Sequence, residues 1–264
     1  GVLVPANLHK QVTRSDMLLL KRQYEKLPDE LELPEIERRD NYLAVSQTSQ
    51  RGLITATLGM VLILATHKVV SVIKKNNQTA VNDEVHYIQQ NNDLSKTQRK
   101  RIRTKAKKIE QPDYEFTAND DPRVPWLDRI WLDHDQMMNR VDNDINDMLK
   151  QGMRAEDIAD KLFPENAESM RQDNIPKVLR NASVSAKRLA RTEAATREDE
   201  LAEDSFKSQK VKYYDWVTEP GACKKCLAIE AAGPYKFGDP DSPRPPVDSH
   251  PNCRCRRVPT EETE

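Results

Sequence analysis

Apolar positions recur three and four residues apart along most of this chain, the spacing of one helix face, and shift towards the two-residue period of a strand only near the C-terminus. Met17 to Leu20 supply the first apolar contact, with Thr13 or Ser15 available to cap the first turn and Pro28 to end it. Pro34 suits a first helical position, and Ile36, Tyr42, Leu43 and Val45 follow it. From Leu53 to Thr66 the chain reads LITATLGMVLILAT without a charge, and Val69, Val70, Val72 and Ile73 resume after His67-Lys68. Cut by that pair, the run falls short of the ~20 residues of a bilayer span. A buried or partner-facing helix is therefore expected, and membrane contact is the remaining alternative. His67 reads as a satisfied boundary histidine. Residues 76–95 are polar, with an amphipathic piece around Val81, Val85 and Ile88.

The segment QPDYEFTANDDPRVP, residues 111–125, carries three prolines and breaks any helix. After Pro125, the residues Leu127, Trp131, His134, Met138, Val141, Ile145 and Met148 alternate spacings of four and three, a heptad-like stripe reaching Gly152. His134 on that stripe reads as a boundary residue. A short helix from Glu156 to Leu162 closes at Pro164. Pro176 then opens a longer one through Lys210, with Val178, Ala182, Ala186, Leu189 and Glu193 on one face. Glu193 on an apolar face calls for a nearby Arg. Val211 to Thr218, VKYYDWVT, is β-prone.

The expected fold class is mainly α: an elongated helical body with a small C-terminal α+β zinc-knuckle-like unit. Its expected divisions are a helical N-terminal region (1–110), a linker (111–125), a second helical part (126–210) and a small β-containing Cys/His unit (211–264).

Composition sharpens this picture at three points. Only 7 glycines and 5% aromatics, against 32% charged residues, suit exposed helices better than a sheet sandwich. A net charge of −1 over 264 residues excludes a global field for nucleic acid, so any such role must be local. A local segment exists in Lys96, Arg99, Lys100, Arg101, Arg103, Lys105, Lys107 and Lys108, with no acid before Glu110. It reads either as a solvated helix face or as a contact for a phosphate backbone, and lacks aromatics to stack on bases. The first ten residues show no charged-then-apolar order of a signal peptide.

All four cysteines fall near the C-terminus, in Cys223-Lys-Lys-Cys226 and His250-Pro-Asn-Cys253-Arg-Cys255. Such spacing favours a chelated metal in a reducing compartment over two disulfides. Cys223, Cys226, His250, Cys253 and Cys255 offer five ligands for one four-coordinate zinc, the CxxC pair presented from a tight turn. Either both CxxC cysteines join two from HPNCRC, or Cys226, His250, Cys253 and Cys255 bind together. His-x-Glu with Pro-Cys-x-x-Cys is absent, which excludes a nucleobase deaminase, and the lack of His-Glu-x-x-His excludes a zincin. With no obvious acid beside the ligands, a closed structural site is expected, without catalysis and without a small-molecule substrate.

Taken in order, Ala190-Arg-Thr-Glu193 on a helix, Trp216 on a strand, Cys223-x-x-Cys226, Gly233-Pro-Tyr-Lys-Phe237, His250-Pro-Asn-Cys-Arg-Cys255 and a closing strand from Arg256 to Pro259 resemble the phage Mu F-like family of minor head, or head morphogenesis, proteins. The resemblance covers about residues 150–260. It departs in spacing, since Val247-Asp248-Ser249 separate Pro246 from His250 where family members often place the proline closer. It implies a low-copy virion component at the portal vertex, made in the host cytoplasm and acting in head assembly or DNA packaging and delivery. The partners implied are the portal protein, with the major capsid protein and non-specifically bound DNA as further candidates. The alternative is a zinc-containing nucleic-acid-binding protein or nuclease, motivated by the basic run.

Overall fold

A computed structural model gives the arrangement of residues 12, 14, 17–47, 49–111, 125–151 and 174–261. The Thr13 and Ser15 caps, all but the ends of the 111–125 linker, Gly152 and the 156–162 helix lie outside the described residues. Seven helices precede or flank a small sheet among the described residues: α1 (Met17–Tyr24), α2 (Leu33–Ser46), α3 (Gln50–Asn91), α4 (Lys96–Ile109), α5 (Trp126–Lys150), α6 (Asn174–Gln209) and α7 (Lys224–Ala232). The sheet holds β1 (Tyr213–Val217), β2 (Tyr235–Lys236) and β3 (Arg256–Thr260). The chain is thus mainly helical, with a three-stranded antiparallel sheet at its C-terminal end.

Contacts divide the chain into two compact units, Gly1–Ser71 with Leu127–Val184 and Val72–Trp126 with Ser185–Glu264. These units cut across the sequential divisions read from the sequence, because α3 and α6 each contribute one part to one unit and the remainder to the other.

In the first unit, Leu53, Ala56, Met60 and Ile63 of α3 bury one stripe with Leu20 of α1, and Tyr42 and Leu43 of α2 pack against it. Leu62 meets Met137 and Met138 of α5. The helix around the 14-residue uncharged run is 42 residues long and carries the apolar stretch on past His67-Lys68. By length and composition α3 could cross a membrane, but over half of its apolar window is buried in protein. A core helix passes the same test. His67 Nδ1 lies 2.8 Å from Glu35 Oε1, and the other Glu35 oxygen accepts the Glu32 N–H at 2.8 Å, which closes the start of α2. On α5, Ile130 and Met137 are buried in addition to Trp131, His134, Met138, Val141 and Ile145 of the stripe, which widens the seam into a core-facing face.

In the second unit, Val81 and Ile88 of α3, Ile102, Ala106 and Ile109 of α4, and Leu201 of α6 form one core cluster. Ser95 caps α4, its hydroxyl accepting the Gln98 N–H while Gln98 Oε1 accepts the Ser95 N–H. Glu193 on the apolar face of α6 is matched by Arg197 one turn on, at 2.8 Å. The same guanidinium donates to the Ile109 carbonyl at the end of α4, at 3.1 Å. The sheet runs in the order β2-β1-β3, with Tyr213 opposite Thr260 and Val217 opposite Arg256. Successive residues of β3 face opposite ways. Arg257 accordingly reaches Asp199 and Glu203 of α6, at 2.6 and 2.9 Å, while Arg256 reaches Glu84 of α3 at 2.6 Å.

Candidate metal centre

Three local structures deliver the five candidate sulfur and nitrogen ligands. The first differs from the tight turn expected for CKKC, because Cys223 is the N-cap of α7 and Cys226 lies in its first turn. The run Leu-Ala-Ile-Glu-Ala-Ala after Cys226 is rich in helix formers and ends at Gly233-Pro234, the signal that could have revealed this helix. The backbone N–H of Cys226 favours negative charge on the Cys223 sulfur and brings its pKa down to about 7.

The second structure is the turn His250-Pro251-Asn252-Cys253, in which the Cys253 N–H donates to the His250 carbonyl at 3.2 Å. Asn252 has φ 70°, so the residues match a type II turn, with Pro at its second position and a residue tolerant of left-handed backbone at its third. That turn brings His250 and Cys253 to one side. His250 Nδ1 faces the Pro251 carbonyl at 2.9 Å, an atom that can only accept. Nδ1 therefore carries a proton, which leaves Nε2, 3.3 Å from Cys226 Sγ, as the ring nitrogen available to a metal. The third structure is the entry to β3, where Cys255 is buried among Trp216, Cys226 and Cys253.

The ligand atoms form two triads that share Cys226, namely Cys223, Cys226 and His250, and Cys226, Cys253 and Cys255. Within each, all atoms lie within 4.8 Å of one another. Cys226 and Cys253 sulfurs are 3.8 Å apart and all four cysteines are free, so these sulfurs are not disulfide-bonded. Tetrahedral zinc with Zn–S bonds near 2.3 Å separates two ligand sulfurs by roughly 3.8 Å, and a sulfur from a nitrogen by roughly 3.5 Å. The observed separations fit a metal of that size. The buried Trp216 Nε1–H makes no hydrogen bond but stands where it favours a Cys255 thiolate, an acceptor that metal binding would supply. Burial otherwise pushes the Cys226 and Cys255 thiols up, against the charge a metal would stabilise.

The cluster is tied to the rest of its unit by contacts that spacing does not announce. The Asn252 N–H donates to Thr192 Oγ1 at 2.8 Å, and Arg191 donates to Asn252 Oδ1 at 3.2 Å. Lys225 Nζ donates to the Ser249 carbonyl at 2.7 Å, which joins α7 to the loop before His250. Beneath them Asp199 accepts from Arg244 at 2.6 Å and from Arg257. Neither triad includes a carboxylate, but Cys253 lines a 620 Å³ groove together with Glu84, Glu198 and Glu219, as well as Arg191 and Arg256. Glu84 and Glu198 come from α3 and α6, far from the cysteines in sequence, whereas Glu219 lies in the loop after β1, four residues before Cys223. Burial, reinforced by Glu84, raises Glu198 to about 7.

The basic run forms α4 as a helix, and the structure divides its cations. Arg101 and Lys105 pair with Asp204 and Glu200 of α6, at 2.7 and 2.9 Å. Lys96, Arg99, Lys100, Arg103 and Lys107 line an outward groove, and Lys108 is exposed outside it. The chain matches no protein-family model, no curated protein and no solved structure.

Proposed function

We propose that this chain is a minor head protein of a tailed phage, a non-enzymatic virion component at the portal vertex whose C-terminal unit is held together by structural zinc. The carrying observation is that the two motifs on which the resemblance rests touch: Thr192 of the Ala190–Glu193 segment receives the N–H of Asn252 from the HPNCRC turn. In this reading the zinc draws on both triads around Cys226 and locks together α7, the His250–Cys253 turn and the entry to β3. Its role is to reinforce the small core around Trp216, which so small a unit could not rely on alone. The portal protein is the proposed partner, with the major capsid protein as a further one.

Two experiments test this. Purified virions should contain the chain by mass spectrometry and the portal protein should co-purify with it; absence from both sinks the phage reading. Elemental analysis should find about one zinc per chain, and a Cys226→Ser, Cys253→Ser double variant should lose it. The Glu198 carboxyl in the groove beside Cys253 favours a second reading, a zinc-containing nuclease. Divalent-metal-dependent cleavage of DNA or RNA, lost in Glu198→Gln, would establish that reading in place of the first.

A further inference from the structure

Of the eight cations in the basic run, two are neutralised from within the fold, five line one groove without an acidic partner among the described residues, and Lys108 is exposed outside it. Lys96, Arg99, Lys100, Arg103 and Lys107 recur at steps of three and four on one face of α4 and line a groove of 450 Å³ with Thr104. The side-chain contacts of Arg99 and Arg103 go to neutral atoms, the Leu94 carbonyl at 3.1 Å and Gln89 Oε1 at 3.3 Å. Among the described residues no acid pairs with any of the five, in contrast to Arg101 and Lys105 on the adjoining face. Concentrating like charge on one face, when α6 acids neutralise the next, leaves a surface that a polyanion would stabilise.

We infer that the outer face of α4 docks on the phosphate backbone of double-stranded nucleic acid without reading its sequence. From Lys96 to Lys107 the helix rises about 16 Å, the length over which one duplex strand carries roughly five phosphates. The groove lining has no apolar residue to enter a lipid surface and no aromatic ring to stack on an unpaired base. Two of its five cations are arginines, whose forked donors match phosphate oxygens in pairs. The inference rests on α4 alone, which lies outside residues 150–260, so it stands or falls independently of the zinc and of the phage reading.

The test measures binding of the full chain to a labelled random-sequence duplex of 20 base pairs at several salt concentrations. Five phosphate contacts give a slope of log K against log salt near −4.5, and therefore a loss of affinity of about 500-fold between 50 and 200 mM. Replacing Lys100, Arg103 and Lys107 by Gln together should bring the slope to about −2, while Lys108→Gln should leave it nearly unchanged. Circular dichroism checks that both variants remain helical, and the slope of the native chain serves if the triple variant does not fold. No duplex binding at 50 mM salt, a native slope shallower than −1, or an unchanged slope in a folded triple variant overturns the inference. So does binding to polyglutamate or to phosphatidylserine vesicles that equals or exceeds binding to duplex.

Discussion

His134 sits between two hydroxyls, with Nε2 3.2 Å from Tyr42 Oη and Nδ1 2.9 Å from Thr66 Oγ1, and is 1% exposed. Burial brings its pKa down to about 4 from 6.5 and pushes the Tyr42 phenol up. The unfolded chain therefore binds a proton at His134 near pH 6.5 that the folded chain refuses until about pH 4. Stability from this group is complete above pH 6.5 and falls as the pH drops to 4, by about 3 kcal/mol in all. Urea unfolding across that range should lose this slope in His134→Gln; an unchanged slope would place the titration elsewhere. The phenol that holds His134 also covers Gly59, where an added Cβ would stand 2.4 Å from the Tyr42 ring. Gly59→Ala should destabilise the protein by about 1–3 kcal/mol in the same assay, despite the better helix propensity of alanine, because the ring cannot withdraw without breaking its bond to His134. The heptad stripe put His134 on the right helix face but as a boundary residue, whereas it is fully buried because Tyr42 and Thr66 supply partners for both ring nitrogens. Those partners were not legible, since they lie 92 and 68 residues away and nothing in local spacing points to them.

Helix α6 shows how far periodicity reads an element and where it stops. The buried Glu193 pointed to an arginine, and Arg197 supplies it at the helical spacing of four. Asp199 lies on the same helix, yet its partners are Arg244 in the loop before the HPNC turn and Arg257 on β3. That pairing depends on the sheet order and was invisible in the sequence. Asp199 is 6% exposed, so its removal leaves two guanidiniums short of their shared acceptor in a desolvated site. Asp199→Ala should cost about 3–5 kcal/mol, read as a lower urea midpoint at constant m. A cost below about 1 kcal/mol would mean that the network is solvated and that β3 is held by its ladder with β1. Strand β1 was legible because Tyr, Trp and Val cluster in VKYYDWVT, β3 was expected only through the resemblance, and the two-residue β2 was not expected. Helix α7 was not legible, because the paired cysteines suggested a metal-bound turn and masked the helix formers after them.

At the scale of the whole chain, neither compact unit is made of consecutive residues, and this sets what can fold alone. A fragment of residues 1–110 would hold α1 to α4 but lack residues 127–184 of the first unit and 185–264 of the second. Its α4 would lose the Arg197 contact to Ile109, the Lys105–Glu200 and Arg101–Asp204 pairs and the packing of Leu201. Isolated helices of 14 residues are marginal in water, so that fragment should show reduced helicity and no cooperative unfolding. A fragment of residues 211–264 keeps all five candidate ligands and the three strands, but loses Thr192, which receives Asn252, and Asp199, which holds Arg244 and Arg257. Its fold would rest on the metal almost alone: it should fold when zinc is added, unfold with a chelator, and melt below the intact chain in zinc. A metal-independent fold in that fragment would mean that the cysteines and His250 pack as an ordinary small core. Failure to fold even in saturating zinc would mean that α6 contributes more to the centre than its ligands do.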